Sequence, residues 1–177
     1  MNYGLKENAI ITKMEEKPSL ISGHGTFAKL KISRGEFLMA LTGTPFTTEE
    51  LNKIYSGNVP DDPLQIGDEL YLVLNHSSKV INHSCDPNAG LRNISDLYAL
   101  KDIAPGEEIT YDYSTTVGVK DNWNMPCKCG AKNCRKKIGN VLSLTSETLN
   151  KYFKLNAFQD YIKKQTYDMK HLSPQKG

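Results

Sequence analysis

The chain lacks any long apolar run, because no stretch approaches the roughly eighteen residues that a membrane-spanning helix requires. Its mean hydropathy is −0.49. The first residues also lack the basic start and apolar stretch of a secretory signal. We therefore expect no membrane segment and an intracellular protein, cytoplasmic by default, with a nuclear or host-cell location also open.

The chain has no large excess of either positive or negative charge. The 22 Lys and Arg residues against 20 Asp and Glu give a net charge of +2, which is too small to predict a nucleic-acid partner from the global balance. Locally, a basic cluster at residues 128–137 is either a solvated face or a contact with nucleic acid or an acidic partner. The acidic residues Asp61, Asp62, Asp68 and Glu69 would attract a basic, lysine-containing protein substrate.

Cysteine is scarce too, with four in the chain. Without an export signal these are better explained as metal ligands or free thiols than as disulfides, because reducing compartments keep thiols reduced. Cys127, Cys129 and Cys134 have the spacing Cys-x-Cys-x4-Cys, and Cys85 lies 42 positions upstream of Cys127. The count matches one tetrahedral zinc site with four thiolate ligands. We expect a structural zinc on these four cysteines; the alternative is a buried thiol at Cys85 and a loose cluster of the other three.

A chain of 177 residues that is 38% apolar is large enough for one globular domain with a core of its own. Gly, Pro, Asn and Asp interrupt its first 115 residues at short intervals, and β-rich runs lie between them. This pattern predicts many short strands in several small sheets. The runs cover residues 9–14, 37–41, 70–74, 97–101 and 109–113.

Helices are expected in three places. Thr47-x-x-Glu50 is a capping box and predicts a short helix over residues 48–56. After the cysteines, Thr145 or Ser146 can cap a helix, a second helical segment follows it, and residues 166–177 look disordered. The apolar positions at helical spacing are Leu149, Tyr152 and Phe153 in the first and Phe158, Tyr161 and Ile162 in the second.

One pattern occurs twice in the chain. Residues 27–36 and 98–107 share their aromatic-Ala, Ile and Gly-Glu positions at a constant offset of 71. Each copy is typical of a strand that ends in a glycine turn and starts another strand. We therefore expect two similar β units, which are too few for a solenoid.

Three segments carry the residue types of a functional site. The Gly-x-Gly turn at residues 23–27 allows close backbone approach to a ligand, although alone it is also an ordinary loop. Residues 81–88 crowd polar groups beside a Pro turn, where His83 is a catalytic base, a zinc ligand or a structural histidine. Tyr111 and Tyr113 share one face of a predicted strand, either as core packing or as the lining of a narrow polar channel.

Gly-x-Gly-x-Phe-Ala, Asn-His-Ser-Cys-Asp-Pro-Asn, Gly-Glu-Glu-Ile-Thr-Tyr-Asp-Tyr and Cys-x-Cys-Gly-x3-Cys follow one another in this order. The set resembles the SET-domain protein lysine methyltransferases with a post-SET zinc segment, over roughly residues 20–139. The resemblance implies a mainly β (β-rich α+β) fold of several small curled sheets with C-terminal helices. It also implies a pseudoknot in which residues 82–85 are threaded by the segment near Tyr113.

The resemblance further implies S-adenosylmethionine as cofactor and a target lysine that enters from the opposite face. Tyr113 would orient the methyl group and the amine, and Tyr111 would wall the channel beside it. Trp123 either covers the adenine or simply packs. The cofactor-binding residues expected on this basis are Gly23, His24, Gly25, Thr26, Asn82, His83, Tyr113 and Trp123.

The expected organisation is a SET domain at residues 1–115 with a short insert at about 44–70, a post-SET zinc segment at 116–139 and a C-terminal helical extension at 140–177 with a disordered tail. The expected activity is methyl transfer from S-adenosylmethionine to the side-chain amine of lysine in a protein. Two alternatives stay open: a catalytically silent SET module that binds a peptide, and a zinc-knuckle protein that binds nucleic acid. The sequence does not predict the oligomeric state.

Overall fold

The structure is a computed structural model, and it describes residues 13–55 and 63–172. The described part contains twelve strands in four small sheets and four α-helices. The strands are β1 (Met14–Pro18), β2 (His24–Ala28), β3 (Phe37–Ala40), β4 (Gly43–Thr47), β5 (Leu64–Gly67), β6 (Leu70–Leu74), β7 (Asn82–His83), β8 (Ala89–Arg92), β9 (Asp96–Ala99), β10 (Glu108–Tyr111), β11 (Met125–Pro126) and β12 (Lys137–Ile138). The helices are α1 (Thr48–Tyr55), α2 (His76–Lys79), α3 (Ser146–Lys154) and α4 (Asp160–Leu172).

The sheet that positions the site has the order β1-β2-β10-β7. Strand β10 is antiparallel to β2 and parallel to β7, which places Thr110 opposite Asn82 and Tyr111 opposite His83. Beyond β7, the side chain of Asn88 accepts a hydrogen bond from the N–H of Thr110 at 2.9 Å. The segment from Asn82 to Asn88 therefore stays against β10, as the threaded arrangement requires.

The other sheets are β3-β9-β8, β4-β6-β5 and the two-stranded β11-β12. Four of the five predicted runs are confirmed as strands, with ends that shift by one or two residues, and the run at 70–74 matches β6 at both ends. Most of the run at 9–14 lies outside the described residues. The run at 109–113 is too long by two residues, because β10 ends at Tyr111 and a 3₁₀ helix begins at Tyr113.

The two copies of the repeated pattern contact each other reciprocally. Ile32 and Ile103 pair through two backbone hydrogen bonds of 3.0 and 2.9 Å. Gly35 and Gly106 adopt nearly equal positive φ angles of 83° and 85°, and each donates its N–H to an alanine carbonyl of the other unit. Glycine adopts this conformation without steric cost, which is why the turn keeps it in both copies.

The predicted capping box is present. The N–H of Glu50 donates to the Thr47 hydroxyl at 3.2 Å, and the Thr47 N–H donates to the Glu50 carboxylate at 2.8 Å. The Thr145 hydroxyl caps α3 by accepting the N–H of Thr148 at 3.2 Å. The expectation of disorder from residue 166 is wrong for residues 166–172, since α4 extends to Leu172 and buries Ile162 and Thr166 on one face. Residues 173–177 lie outside the described part.

Three apolar clusters hold these elements together. The largest joins the β-sheets around Ile32, Leu97 and Ile109. A second lies under the C-terminal helices, with Tyr152 and Phe158 among its fully buried side chains. The third is built from cysteines around Ile138. Among the described residues, none of the helices is long and apolar enough to cross a membrane.

Candidate active site

A cavity of about 600 Å³ lies between the β4-β6-β5 sheet, helix α1 and the end of β10. The rings of Tyr111 and Tyr113 form one part of its wall, with their centroids 4.8 Å apart and tilted by 45°. Tyr111 is buried and Tyr113 is half-buried. Among the described residues, the aromatic ones that line the cavity are Tyr71, Tyr111, Tyr113 and Trp123.

Tyr113 is held in position by the turn that follows β10. Asp112 caps this turn by accepting the N–H of Ser114 at 3.1 Å, so the chain leaves the strand direction before Tyr113. The Tyr113 hydroxyl then donates to the carbonyl of Ile81 at 2.9 Å. The two tyrosines therefore meet as expected, although a turn and not a continuous strand face brings them together.

The glycine turn before β2 is joined to the same region through Asn82. The Asn82 amide nitrogen donates to the carbonyls of Ser22 and His24 at 3.2 and 3.0 Å. Gly23 has a φ of +45°, and the turn leaves His24 exposed while Gly25 and Thr26 are buried. The structure thus brings the expected residues 23–26 and Asn82 into one small unit.

Glu108 is a part of this unit that the sequence analysis missed. Its carboxylate accepts hydrogen bonds from Asn82 at 2.7 Å and from the Ser19 hydroxyl at 2.8 and 2.9 Å. A Cβ atom on Gly25 would lie only 2.2 Å from the Glu108 Oε1 atom. Any larger residue at position 25 would therefore clash with the carboxylate. The Gly-Glu-Glu motif contains Glu108, but the pattern does not say which of its two carboxylates points inward.

His83 has both ring nitrogens engaged. Its Nδ1 accepts the N–H of Tyr113 at 3.2 Å, and its Nε2 lies 3.3 Å from the Cys85 sulfur. Burial lowers the pKa of His83 to about 4, although the charge of Asp112 opposes this shift, so the ring is neutral. Because Nδ1 accepts the Tyr113 N–H, we assign the proton of the neutral ring to Nε2. His83 is therefore a hydrogen-bond donor to Cys85, and only its backbone is left to contact a cofactor.

The four cysteines come together although 42 residues separate the first from the others. The sulfurs of Cys85 and Cys127 are 3.7 Å apart. Sulfurs bound at ~2.3 Å to a tetrahedral zinc lie roughly 3.8 Å apart, so this separation fits a zinc site. Backbone N–H groups point at the sulfurs of Cys129, Cys85 and Cys134, each at 3.4 Å, as thiolate ligands require.

Five donors compete for four positions around a tetrahedral ion. The ligand atoms of His83, Cys85, Cys127 and Cys129 all lie within 4.8 Å of one another, whereas Cys134 lies at the edge, with its sulfur 3.9 Å from the Cys127 carbonyl. We favour Cys134 over His83 as the fourth ligand, because the His83 nitrogen that faces the sulfurs carries a proton. The donor set of four thiolates then fits zinc.

The thiols differ in acidity before any ion binds. Burial raises the pKa of Cys85 to about 11 and also raises that of Cys127. Burial also raises the pKa of Cys129, but hydrogen bonds from the N–H groups of Cys85 and Ala131 and from neighbouring thiols outweigh it and lower the pKa to about 7. A divalent cation is the charge that would stabilise buried thiolates at neutral pH.

Comparison with known proteins gives a consistent picture. The family model described as "SET domain" matches residues 23–114, which is 92 of the 177 residues and so more than half of the chain. The chain belongs to the SET-domain family. Human histone-lysine N-methyltransferase 2B is 33% identical over 132 residues, covering 67% of this chain and 5% of that protein. The Saccharomyces cerevisiae histone-lysine N-methyltransferase described as H3 lysine-4 specific is 45% identical over 65 residues, covering 33% of this chain and 6% of that protein.

Among solved structures, a crystal structure of KRYPTONITE in complex with mCHG DNA and SAH matches with a TM-score of 0.53 and 25% identity. The match covers 70% of this chain and 28% of that one. The SET fold of small sheets with few helices, expected from the sequence, is thereby confirmed. The chain spans only a small part of the length of these relatives.

A buried charge network, which the sequence analysis also missed, joins the end of the SET domain to the segments that follow it. Asp112 is 1% exposed and accepts two 2.7 Å hydrogen bonds from the guanidinium of Arg135. It also accepts the hydroxyl of Tyr152 at 2.9 Å. Burial opposes the charge of Arg135, but the bonds to Asp112 outweigh it and raise the pKa of Arg135. Arg135 therefore does not belong to the exposed basic cluster expected at 128–137.

Trp123 lies on the wall of the cavity that Tyr111 and Tyr113 also line. It is half-buried and packs against the cysteine cluster. The sequence left two roles open for it, covering the adenine or packing. The contacts with the cysteine cluster place it where the zinc segment meets the SET cavity.

Proposed function

We propose that this SET domain transfers methyl groups from S-adenosylmethionine to the side-chain amine of lysine in a protein substrate. The observation that carries the proposal is the Tyr111–Tyr113 pair on the cavity wall, with the Tyr113 hydroxyl fixed on the carbonyl of Ile81. Ile81 directly precedes Asn82, which holds the glycine turn. The tyrosine pair and the turn therefore meet at adjacent residues.

The glycine turn and its neighbours are the residues that would hold the cofactor. When bound there, S-adenosylmethionine supplies an electrophilic methyl group on a sulfonium. Gly23 allows the positive φ angle of the turn, and Gly25 leaves space for the Glu108 carboxylate. Asn82 donates to that carboxylate and so joins it to the turn. Tyr113 and Trp123 line the neighbouring cavity, and the residues of the glycine turn do not.

The chain itself must accept lysine as a neutral amine and hold it in line. Lysine has an ordinary pKa of ~10.4, and its removal from water in the cavity disfavours its charged form. Alignment of reacting groups can supply roughly 7–11 kcal/mol of the barrier. A tyrosine hydroxyl with an ordinary pKa near ~10 is a poor base at neutral pH, so we assign Tyr113 to positioning and electrostatics.

The test is methyl transfer from radiolabelled S-adenosylmethionine by the purified chain and by two matched variants. Tyr113→Phe should keep the fold and lower turnover by about a hundredfold or more, as expected when a hydrogen bond made in the transition state is lost. Tyr98→Phe is the control, because Tyr98 packs on Phe37 in β9 and does not line the cavity. Near-native turnover in Tyr113→Phe would remove Tyr113 from this role, and cofactor binding without any transfer by the native chain would favour the silent module.

A histone is our proposed substrate class, since the names of the two relatives above describe histone methyltransferases, one of them specific for H3 lysine 4. Histones are chromatin proteins, so this proposal favours the nuclear or host-cell location over the cytoplasmic default. Incubation with separate core histones and with a whole proteome, followed by mass spectrometry of methylated lysines, tests it. Labelling confined to non-histone proteins would contradict the proposal.

Nucleic-acid contact remains a prediction for the four lysines left in the basic cluster. Lys128, Lys132, Lys136 and Lys137 are exposed, whereas Arg135 points inward to Asp112. A zinc knuckle acting alone has little support, because Cys85 joins the cysteines to the SET core. A salt-dependent mobility shift that is lost when the four lysines are replaced by glutamine would support the contact.

A further inference from the structure

The cavity contains a carboxylate to which the tyrosine pair gives no role. Asp121 and Lys79 carry the charges among the described residues that line the cavity. No lysine, arginine or histidine of the described residues lies within 4.0 Å of the Asp121 carboxylate. Asp121 is half-buried on the cavity wall, so its carboxylate can meet a cation that enters the cavity with a ligand.

Asp121 is fixed in place from several sides. The Tyr71 hydroxyl donates to one carboxylate oxygen at 3.1 Å, and the N–H of Trp123 donates to the other at 2.8 Å. Its backbone is held as well, because its carbonyl accepts the Asn140 side chain at 2.8 Å and its N–H donates to Gly118. The carboxylate is therefore ordered before a ligand enters, which reduces the entropy that binding must cost.

The surroundings of Asp121 favour a cation. Tyr71 and Trp123 bring aromatic rings into the same wall, and ring faces attract ammonium and guanidinium groups. Burial and the charge of Asp121 raise the pKa of Tyr71 to about 12, so Tyr71 stays a neutral donor. A carboxylate flanked by aromatic rings suits the long apolar stem and charged head of arginine or lysine.

The reacting amine itself is a poor candidate for this position. A neighbouring carboxylate raises the pKa of an ammonium group, whereas methyl transfer requires the target lysine to lose its proton first. Asp121 is tied to Tyr71 of β6, whereas Tyr113 is tied to Ile81 beside β7. The Asp121 and Tyr113 side chains are thus anchored to different parts of the chain.

We propose that Asp121, with Tyr71 and Trp123, binds a second cationic side chain of the substrate, an arginine or lysine near the target lysine in sequence. The proposal rests on the methyltransferase function above and narrows its substrate class to peptides with two nearby cations. Asp121 is a specificity-determining residue in this scheme and takes no part in the chemical step.

Peptides with a single lysine in an alanine–glycine background provide the test. Each peptide carries one arginine, at one of the four positions before or the four positions after the lysine. A matched set carries glutamine at the same positions. The native chain should show a kcat/KM ratio of arginine to glutamine peptide of about fivefold or more at one or two positions. Asp121→Asn should bring that ratio close to one, and Asp121→Glu should restore part of it.

Asp102→Asn is the matched control, because Asp102 is an exposed carboxylate paired with Lys31 and does not line the cavity. It should leave the ratio unchanged. Raising the salt concentration should lower the native ratio, since the contact is an ion pair, and this measurement does not depend on any variant folding. A melting temperature for each variant separates loss of selectivity from loss of fold.

Two failures can be told apart. If the native chain methylates no peptide and no protein, the proposed function fails. If the native chain is active but its arginine preference is absent, is insensitive to salt or persists in Asp121→Asn, the second-cation site is overturned. If Asp121→Asn lowered kcat/KM equally on arginine and glutamine peptides, the second-cation site would also be overturned. Asp121 would then only hold Tyr71 in position.

Discussion

Asp112 lies where three parts of the chain meet. It belongs to the turn after β10, accepts the Arg135 guanidinium of the zinc segment and accepts the Tyr152 hydroxyl of α3. A carboxylate that is 1% exposed needs these donors, because a buried charge without partners costs several kcal/mol. The network thus holds the cavity wall, the zinc segment and the C-terminal helices at fixed distances.

Tyr152→Phe should lower the free energy of unfolding by about 1.5–3 kcal/mol, since it removes one hydrogen bond to a charged acceptor. Asp112→Asn should cost more, about 3–5 kcal/mol, because it leaves the Arg135 charge buried without its partner. Urea unfolding of both variants measures this, with Tyr98→Phe as a control expected within about 0.5 kcal/mol of the native chain. If Tyr152→Phe matched the control, the bond between Tyr152 and Asp112 would carry no net stability.

The zinc segment is the element whose fold depends most on a bound ion. Strands β11 and β12 have two residues each, and their local cluster contains few apolar side chains besides Ile138, Met125 and Trp123. A two-stranded ribbon of this size is marginal in water without further support. The four thiolates would supply that support and clamp the ribbon to the loop after β7.

Cys129→Ser should therefore reduce zinc content well below one ion per chain and speed amide exchange over residues 125–138. The β4-β6-β5 sheet should keep its protection. The affinity for S-adenosylmethionine should fall, because the cysteine cluster includes Cys85, which follows Asn82 and His83 in the chain. Elemental analysis and hydrogen exchange by mass spectrometry measure these effects. Lys128→Ser, an exposed change within the same turn, is the control and should keep the ion; a full zinc complement in Cys129→Ser would exclude Cys129 as a ligand.

At the scale of the whole molecule, three tyrosines make stability sensitive to alkali. Burial, with Asp121 as the next contribution, raises the pKa of Tyr71 to about 12, and burial also raises the pKa of Tyr152 and Tyr161. Unfolded tyrosine ionises near ~10, so above that pH the native state binds more protons than the unfolded state. The contribution of these tyrosines to stability is thus fully present below about pH 10 and is lost as the pH rises toward their native pKa values.

The midpoint of urea unfolding should therefore fall steadily above about pH 10. Tyr161→Phe should make that fall shallower, because one of the three shifted groups is then missing. A slope in Tyr161→Phe equal to that of the native chain would mean that Tyr161 does not contribute to the alkaline sensitivity.

Much of this molecule could be predicted from local sequence. The capping box at Thr47, the paired glycine turns and four of the β-rich runs depend on residues within a few positions of one another, and each appears in the structure. The cysteine count predicted a cluster of sulfurs that the fold does bring together. Such features follow from propensity and spacing, which act over short distances along the chain.

The partners of these polar groups were decided by the tertiary structure alone. Glu108 meets Asn82 across two strands, Asp112 meets Arg135 from the zinc segment, and Asp121 on the cavity wall accepts the hydroxyl of Tyr71 from β6. A sequence pattern shows that such residues are polar and not which of them lose contact with water. Their roles follow from that loss, since a charge removed from water must find a specific donor or acceptor, and its position is set by chain segments far away in sequence.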